Sequence, residues 1–177
     1  MPDLKLRPIE SEDDVAAIAT FLADPSLVGR RGLRDDRPVP RSMASLVRAI
    51  EGMAEKELGE TWVVDSGGVV GMVSADWWWD AMSPWVHVVI DPQHQRHGHG
   101  TMAIRLVLDH LFLNTPAHIV QGGVPGWDDE GLAFAESLGA VEMGRMRRVG
   151  VREGAYFDEV DFVITRDMWE EEHASRR

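Results

Sequence analysis

The amino-acid sequence predicts one mixed α/β domain in which about six or seven strands alternate with about four helices. Three observations carry this. The spacing of apolar residues switches repeatedly between the two-residue period of a strand and the 3.6-residue period of a helix. Glycine, proline and aspartate mark most of the switches. The length of 177 residues suits a single domain, able to bury roughly two thirds of its unfolded surface.

Leu4 and Leu6 alternate with Lys5 and Arg7, which predicts a short opening strand. Ser11 then offers a cap, and Glu12, Asp13 and Asp14 supply first-turn acids for a helix through Ala23, stopped by Asp24 and Pro25. Met43, Leu46, Val47, Ile50 and Met53 recur at helical spacing, so residues 42–58 form an amphipathic helix. Residues 61–65 and 69–77 read as strands joined through Ser66-Gly67-Gly68, the simplest join being a hairpin. Residues 85–90 are too uniformly apolar for an exposed edge and predict a central strand. Residues 101–113 form a helix apolar on most sides, packed against the sheet. A strand at 117–121, a flexible bend at 122–126 and a helix at 128–138 stopped by Gly139 come next. Two closing strands, 141–151 and 156–164, complete the domain. From about Met168, with the acidic run Glu170, Glu171 and Glu172, the chain reads as a short tail without chemistry.

Composition narrows the function classes. Apolar residues make up 44% and charged residues 27%, as in ordinary globular proteins, and no run of about 18 apolar residues suggests a membrane span. The first seven residues lack the apolar core and small-residue cleavage site of a secretory signal, so the expected compartment is the cytoplasm. The absence of cysteine excludes disulfides, thiolate metal ligands and a cysteinyl acyl-enzyme. A formal net charge of -12 repels phosphate backbones, which argues against nucleic acid and favours a small, cationic partner. Against that field, Arg30, Arg31, Arg34, Arg37 and Arg41 crowd one stretch with Asp35 and Asp36. They read either as a solvated loop with local ion pairs or as an anion clamp beside an acceptor site.

The most informative segment runs from Val88 to Thr101: a strand ending at Asp91-Pro92, then Gln93-His94-Gln95-Arg96-His97-Gly98-His99-Gly100, then a helix. Residues at a helix start carry N–H groups without intrahelical partners, and the helix dipole adds about half a positive charge there, so a pyrophosphate fits. Gly98 and Gly100 let a backbone approach phosphates closely, and Arg96 adds charge. The order strand, proline, Gln-x-x-Gly-x-Gly, helix resembles the acyl-CoA signature of the GNAT superfamily of N-acyltransferases, with Gln95, Gly98 and Gly100 in the motif positions. The opening strand and helix, the hairpin, and Phe134-Ala135-Glu136-Ser137-Leu138-Gly139-Ala140 sit where that family places corresponding elements, so the resemblance covers nearly the whole chain.

That resemblance implies the GNAT fold, a central twisted, mixed and mostly antiparallel sheet flanked by helices. It implies acetyl-CoA, or another acyl-CoA, as cosubstrate, a small-molecule or peptide amine as acceptor, and direct attack in a ternary complex. Val88, Val89 and Ile90 would offer backbone groups to the pantetheine arm, and Gln95, Arg96, His97, Gly98, His99, Gly100 and Thr101 would cradle the pyrophosphate. The last strands and the arginine-rich loop would frame the acceptor. A homodimer is compatible with this reading, and neither a metal nor a membrane is called for.

Acylating an alkylamine needs a base, because deprotonating the ammonium at pH 7 costs about 4 to 5 kcal/mol. His87, on the central strand, is the candidate base, with a buried structural histidine as the alternative. Many family members protonate the leaving thiolate with a tyrosine four residues before the glycine of the last helix. Ala135 stands there in this chain, beside Phe134. Asp128 stands where an asparagine usually opens that helix. Tyr156, the only tyrosine, is the substitute acid, unless it merely turns the chain into the last strand.

Other readings compete for the same residues. The substituted tyrosine keeps open a noncatalytic acyl-CoA-binding module. Gly98-His99-Gly100-Thr101-Met102-Ala103 also fits the G-x-G-x-x-A form of a dinucleotide fingerprint of an oxidoreductase, but Val120 and Gln121 stand where its ribose-binding acid belongs. His94, His97 and His99 suggest zinc only if their rings converge, and the loop already has a phosphate-binding explanation. Trp77, Trp78, Trp79 and Trp85 cluster before the central strand, to hold an acceptor cation or to pack a core or dimer.

Overall fold

The computed structural model describes residues 4–27, 42–55, 57–78 and 80–175. The arginine-rich stretch from Arg30 to Arg41 and Trp79 lie outside the described residues. Among the described residues there are seven strands: β1 Lys5–Pro8, β2 Gly59–Asp65, β3 Val69–Asp76, β4 Trp85–Ile90, β5 Ile119–Pro125, β6 Val141–Arg152 and β7 Ala155–Thr165. They form one sheet in the order β1-β2-β3-β4-β5-β7-β6. Every neighbouring pair is antiparallel except β4 and β5. Five α-helices among the described residues accompany it: α1 Glu12–Leu22, α2 Met43–Ala54, α3 His99–Asn114, α4 Asp129–Ser137 and α5 Arg166–Ser175. The mixed, mostly antiparallel sheet expected from the sequence is thus the observed one.

Local chemistry sets most boundaries. Ser11 caps α1 through a capping box with Asp14, as the run of acids foretold. The β2–β3 turn is tied by Asp65, whose Oδ1 accepts from the N–H groups of Gly67 and Gly68, with Gly67 at φ 80°. Asp128 caps α4, accepting from the Gly131 N–H at 3.2 Å.

The sheet separates two cores. On one face α1 and α2 cover β2 to β4 through Ile18, Leu22, Leu46, Ile50, Val63, Met72 and Val89. On the other, α3 and α5 pack through Val107, Leu111, Phe112, Val64, Val73, Ile164 and Trp169. A smaller cluster of Ala135, Val160 and Phe162 seats α4 under β5 and β7. Arg7 ties β1, α1 and β2 together, its guanidinium bridging Asp14 at 2.7 Å and Asp65 at 2.7 Å.

Two sequence expectations change. Residues 122–126, expected as a flexible bend, largely continue β5, because Gly122, Gly123, Val124 and Pro125 pair with Phe162, Asp161, Val160 and Glu159 of β7. Glycine is tolerated in this strand interior because a distant partner supplies the ladder. The expected tail from Met168 is helix α5. Trp169 is buried against Phe112, and its Nε1–H donates to Asp109 Oδ1 at 2.8 Å.

Candidate active site

β4 and β5 run side by side but share a single pair, at the first residue of β4 and the third of β5. Trp85 stands opposite Gln121, and the Gln121 N–H donates to the Pro84 carbonyl at 3.0 Å. No further pair joins them, although β4 stays bonded to β3 along its length and β5 to β7. The two strands therefore part like a wedge, and the backbone groups facing the gap have no sheet partner. A cavity of about 240 Å³ occupies the wedge, lined by His87, Val88 and Ile90 from β4, Gln121 and Gly123 from β5, and Phe134 from α4. The lining is mostly apolar, with a few polar groups placed along it, the usual character of a small-molecule site.

At the open end, β4 delivers the chain to the start of α3. Asp91 Oδ1 accepts from the Gln93 N–H at 3.0 Å, and the Gln95 side chain donates to the Ile90 carbonyl at 3.0 Å, folding the loop back onto the strand. Gly98 is the N-cap of α3 at φ 81°, with no side-chain cap. The first bond of the helix runs from the Met102 N–H to the Gly98 carbonyl at 3.0 Å, so the N–H groups of His99, Gly100 and Thr101 precede the helical ladder. No protein atom lies within 4 Å of where a Cβ on Gly98 would stand, and one on Gly100 would make only ordinary contact with Phe134 at 3.4 Å. Packing within the protein does not demand glycine at either position; at Gly98 the left-handed backbone itself favours it.

The remaining loop residues divide by role. His99 is buried, and its Nδ1 lies 3.0 Å from the His94 carbonyl. A carbonyl only accepts, so Nδ1 carries the proton and the ring pins the loop. Arg96 sits at φ 64° and its exposed guanidinium pairs with Glu130 of α4, linking the two sides of the opening. His97 is exposed, with its ring centroid 6.0 Å from that of His99. No group of three metal-ligating side chains converges among the described residues.

His87 lies within the wedge, half-buried, on the sheet face shared with α1 and opposite Ser74. Tyr156 does not join it. That ring is 67% exposed at the start of β7, beside the Arg148 guanidinium 5.7 Å away, and it is not part of the cavity wall. Asp128 and Ala135 do line the cavity, where α4 faces β5. From β7, Phe162, Val163 and Ile164 line the cavity, as the expectation that the last strands frame the site allows. Glu159 is 4% exposed, and Asp161 is two residues on, on the same face of its strand. Burial pushes the Asp161 carboxyl above its ordinary range, and its Oδ1 has no hydrogen-bond partner among the described residues.

Comparison with known proteins agrees with this geometry. Residues 3–141 match the model of the acetyltransferase (GNAT) domain. The chain belongs to the GNAT acetyltransferase family. Its chemistry is therefore acyl transfer, and the protein is an acyltransferase. A Bacillus subtilis relative, described as an SPbeta prophage-derived uncharacterized N-acetyltransferase, YokL, is 27% identical over 173 residues, covering 97% of this chain and 94% of the relative. Among solved structures, a spermidine N-acetyltransferase from Vibrio cholerae in complex with CoA and spermine superposes with a TM-score of 0.81 at 20% identity, covering 94% of this chain and 98% of that one. A putative acetyltransferase from T. thermophilus gives a TM-score of 0.77 at 22% identity, covering 97% and 90%. At such identities these two structures speak for the fold.

Proposed function

We propose that the protein moves an acyl group, foremost acetyl, from acyl-CoA to a primary amine by direct attack in a ternary complex. The observation that carries this is the wedge between β4 and β5 opening onto the uncapped start of α3. Residues 88–90 of β4 present an unpaired strand edge on which an extended amide-bearing arm is held as an added strand. The N–H groups of His99, Gly100 and Thr101 receive the pyrophosphate, aided by the helix dipole and by Gln95, which holds the loop. Backbone N–H groups at the wedge polarise the thioester carbonyl.

His87 sits in the wall of this cavity and takes the proton from the acceptor ammonium, directly or through water. Tyr156, the chain's only tyrosine, stands outside the cavity wall. The leaving thiolate therefore recovers the proton held by His87 or one from solvent.

The test is free CoA released from acetyl-CoA across a panel of amines. Release in proportion to added amine, with the acetylated amine identified by mass, supports the transferase. Tight acetyl-CoA binding without release from any amine favours the noncatalytic binding module, which Ala135 in the tyrosine position keeps as the second reading.

A further inference from the structure

Among the described residues, the polar side chains in the cavity wall are His87, Gln95, Gln121 and Asp128. Gln95 donates to the Ile90 carbonyl and Asp128 caps α4, so both serve the local backbone. His87 and Gln121 share the sheet face toward α1 and α2. Strand alternation puts them there, because Val86, Val88 and Val120 pack into the α3 core while Val89 joins the α1 and α2 core. Gln121 stands opposite Trp85, so His87 lies one strand across and two residues along from it, a diagonal of roughly 8 Å between Cα atoms.

The Gln121 carboxamide has a fixed sense. Its Nε2 lies 3.3 Å from the Ser83 carbonyl, and a carbonyl only accepts, so the NH2 end faces Ser83 and Oε1 is the other end. Oε1 accepts no hydrogen bond among the described residues, yet it is not one of the unpartnered polar atoms sealed from solvent there. The wall thus offers an anchored, neutral acceptor on the same face as His87.

Resting on the acyl-transfer reading of the cavity, we propose that Gln121 Oε1 holds one N–H of the attacking nitrogen and thereby restricts the acceptor to primary amines. A bound primary ammonium carries three protons. One leaves to solvent and frees the lone pair, the nitrogen attacks the thioester carbon, and the C–S bond breaks. A second proton passes through His87 to the departing thiolate, and the third stays on the new amide, bonded to Gln121. A secondary amine reaches the same step with a single N–H, which His87 takes, and Gln121 is left without a donor in a mostly apolar cavity. A nitrogen with a hydrogen bond of about 3 Å to each side chain bridges a diagonal of this size. A carboxylate in place of the carboxamide would hold the ammonium in its charged form and keep the lone pair occupied.

The experiment compares n-butylamine with N-methylbutylamine, which is of similar basicity and chain length. Both are assayed for CoA release from acetyl-CoA with wild-type protein and with Gln121→Met, which keeps the side-chain length and removes the acceptor. Wild type is expected to favour the primary amine at least about tenfold in kcat/KM, the scale of one hydrogen bond left unmade. In Gln121→Met the two amines should come within about threefold of each other through loss of the primary one, with acetyl-CoA affinity unchanged. The N-methyl group meets a wall of similar size in both proteins, so the change in ratio reads the hydrogen bond. Equal use of the two amines by wild type, or an unchanged ratio in Gln121→Met, overturns the role of Gln121 while leaving the transferase reading intact. If no amine releases CoA, the transferase reading falls, and calorimetric titration of n-butylamine into the CoA-loaded protein decides Gln121 separately. Binding weakened about tenfold in Gln121→Met keeps the contact, and unchanged binding overturns it. If Gln121→Met fails to bind acetyl-CoA, Gln121→Ala carries the same comparison.

Discussion

Replacing Gly98 by alanine separates the stability of the loop from its use. Gly98 holds φ 81° at the start of α3, a conformation that costs a residue with a Cβ roughly 1 to 2 kcal/mol. The new methyl meets no protein atom within 4 Å, so no packing penalty adds to the strain. For a chain of this size about 1 kcal/mol lowers Tm by roughly 2 to 4 °C, so the variant should remain folded and melt only a few degrees early. The same methyl would stand where a pyrophosphate approaches the N–H groups of residues 99–101. Losing one charge-assisted hydrogen bond, about 1.5 to 3 kcal/mol, weakens acetyl-CoA binding roughly tenfold to a hundredfold. Titration calorimetry with acetyl-CoA and with S-acetylpantetheine, which has no pyrophosphate, reads the difference. The variant should lose affinity for the first ligand and keep it for the second. Equal loss for both ligands, or none for either, would refute the assignment of this helix start to the pyrophosphate.

Other outcomes follow from the same structure. His87→Ala should lower kcat/KM for the amine at least about a hundredfold with acetyl-CoA affinity intact, while Tyr156→Phe stays within about twofold of wild type; steady-state kinetics on both variants checks the pair. The Asp14 carboxyl is held well below its usual 3.8, first by hydrogen bonds from Arg7. A depressed carboxyl stabilises the fold above its unfolded value and gives up that stability as pH falls toward the folded one, so Asp14→Asn should cost about 2 to 3 kcal/mol at pH 7 and less at pH 3. Urea unfolding at the two pH values measures this, and a gap that does not narrow contradicts the assigned cause. Trp169→Ala should destabilise by about 3 to 5 kcal/mol in urea, where a solvated tail residue would change stability by less than about 0.5 kcal/mol.

What the sequence disclosed were features written in neighbouring residues. The capping box of Ser11 and Asp14, the Gly67-Gly68 turn held by Asp65, and the Gln95 to Gly100 loop between strand and helix all act within a few positions, so pattern and chemistry coincide. What it concealed depends on distant partners. Gly122 and Gly123 look like a bend until Phe162 and Asp161 supply the ladder, and the wedge exists because β4 and β5 stop pairing after Trp85 and Gln121. Helix α5 hid in an acidic run because its anchor, the bond from Trp169 to Asp109, joins residues 60 positions apart. Tyr156 was singled out for its residue type, and only the fold shows that its ring stands outside the cavity wall.

The most direct test of the central claim is a crystal structure of the protein grown with acetyl-CoA. The account predicts density for the pantetheine arm between β4 and β5, bonded to the backbone of residues 88–90, with the pyrophosphate on the N–H groups of His99, Gly100 and Thr101. Acetyl-CoA bound elsewhere on the sheet, with the wedge empty, would contradict it.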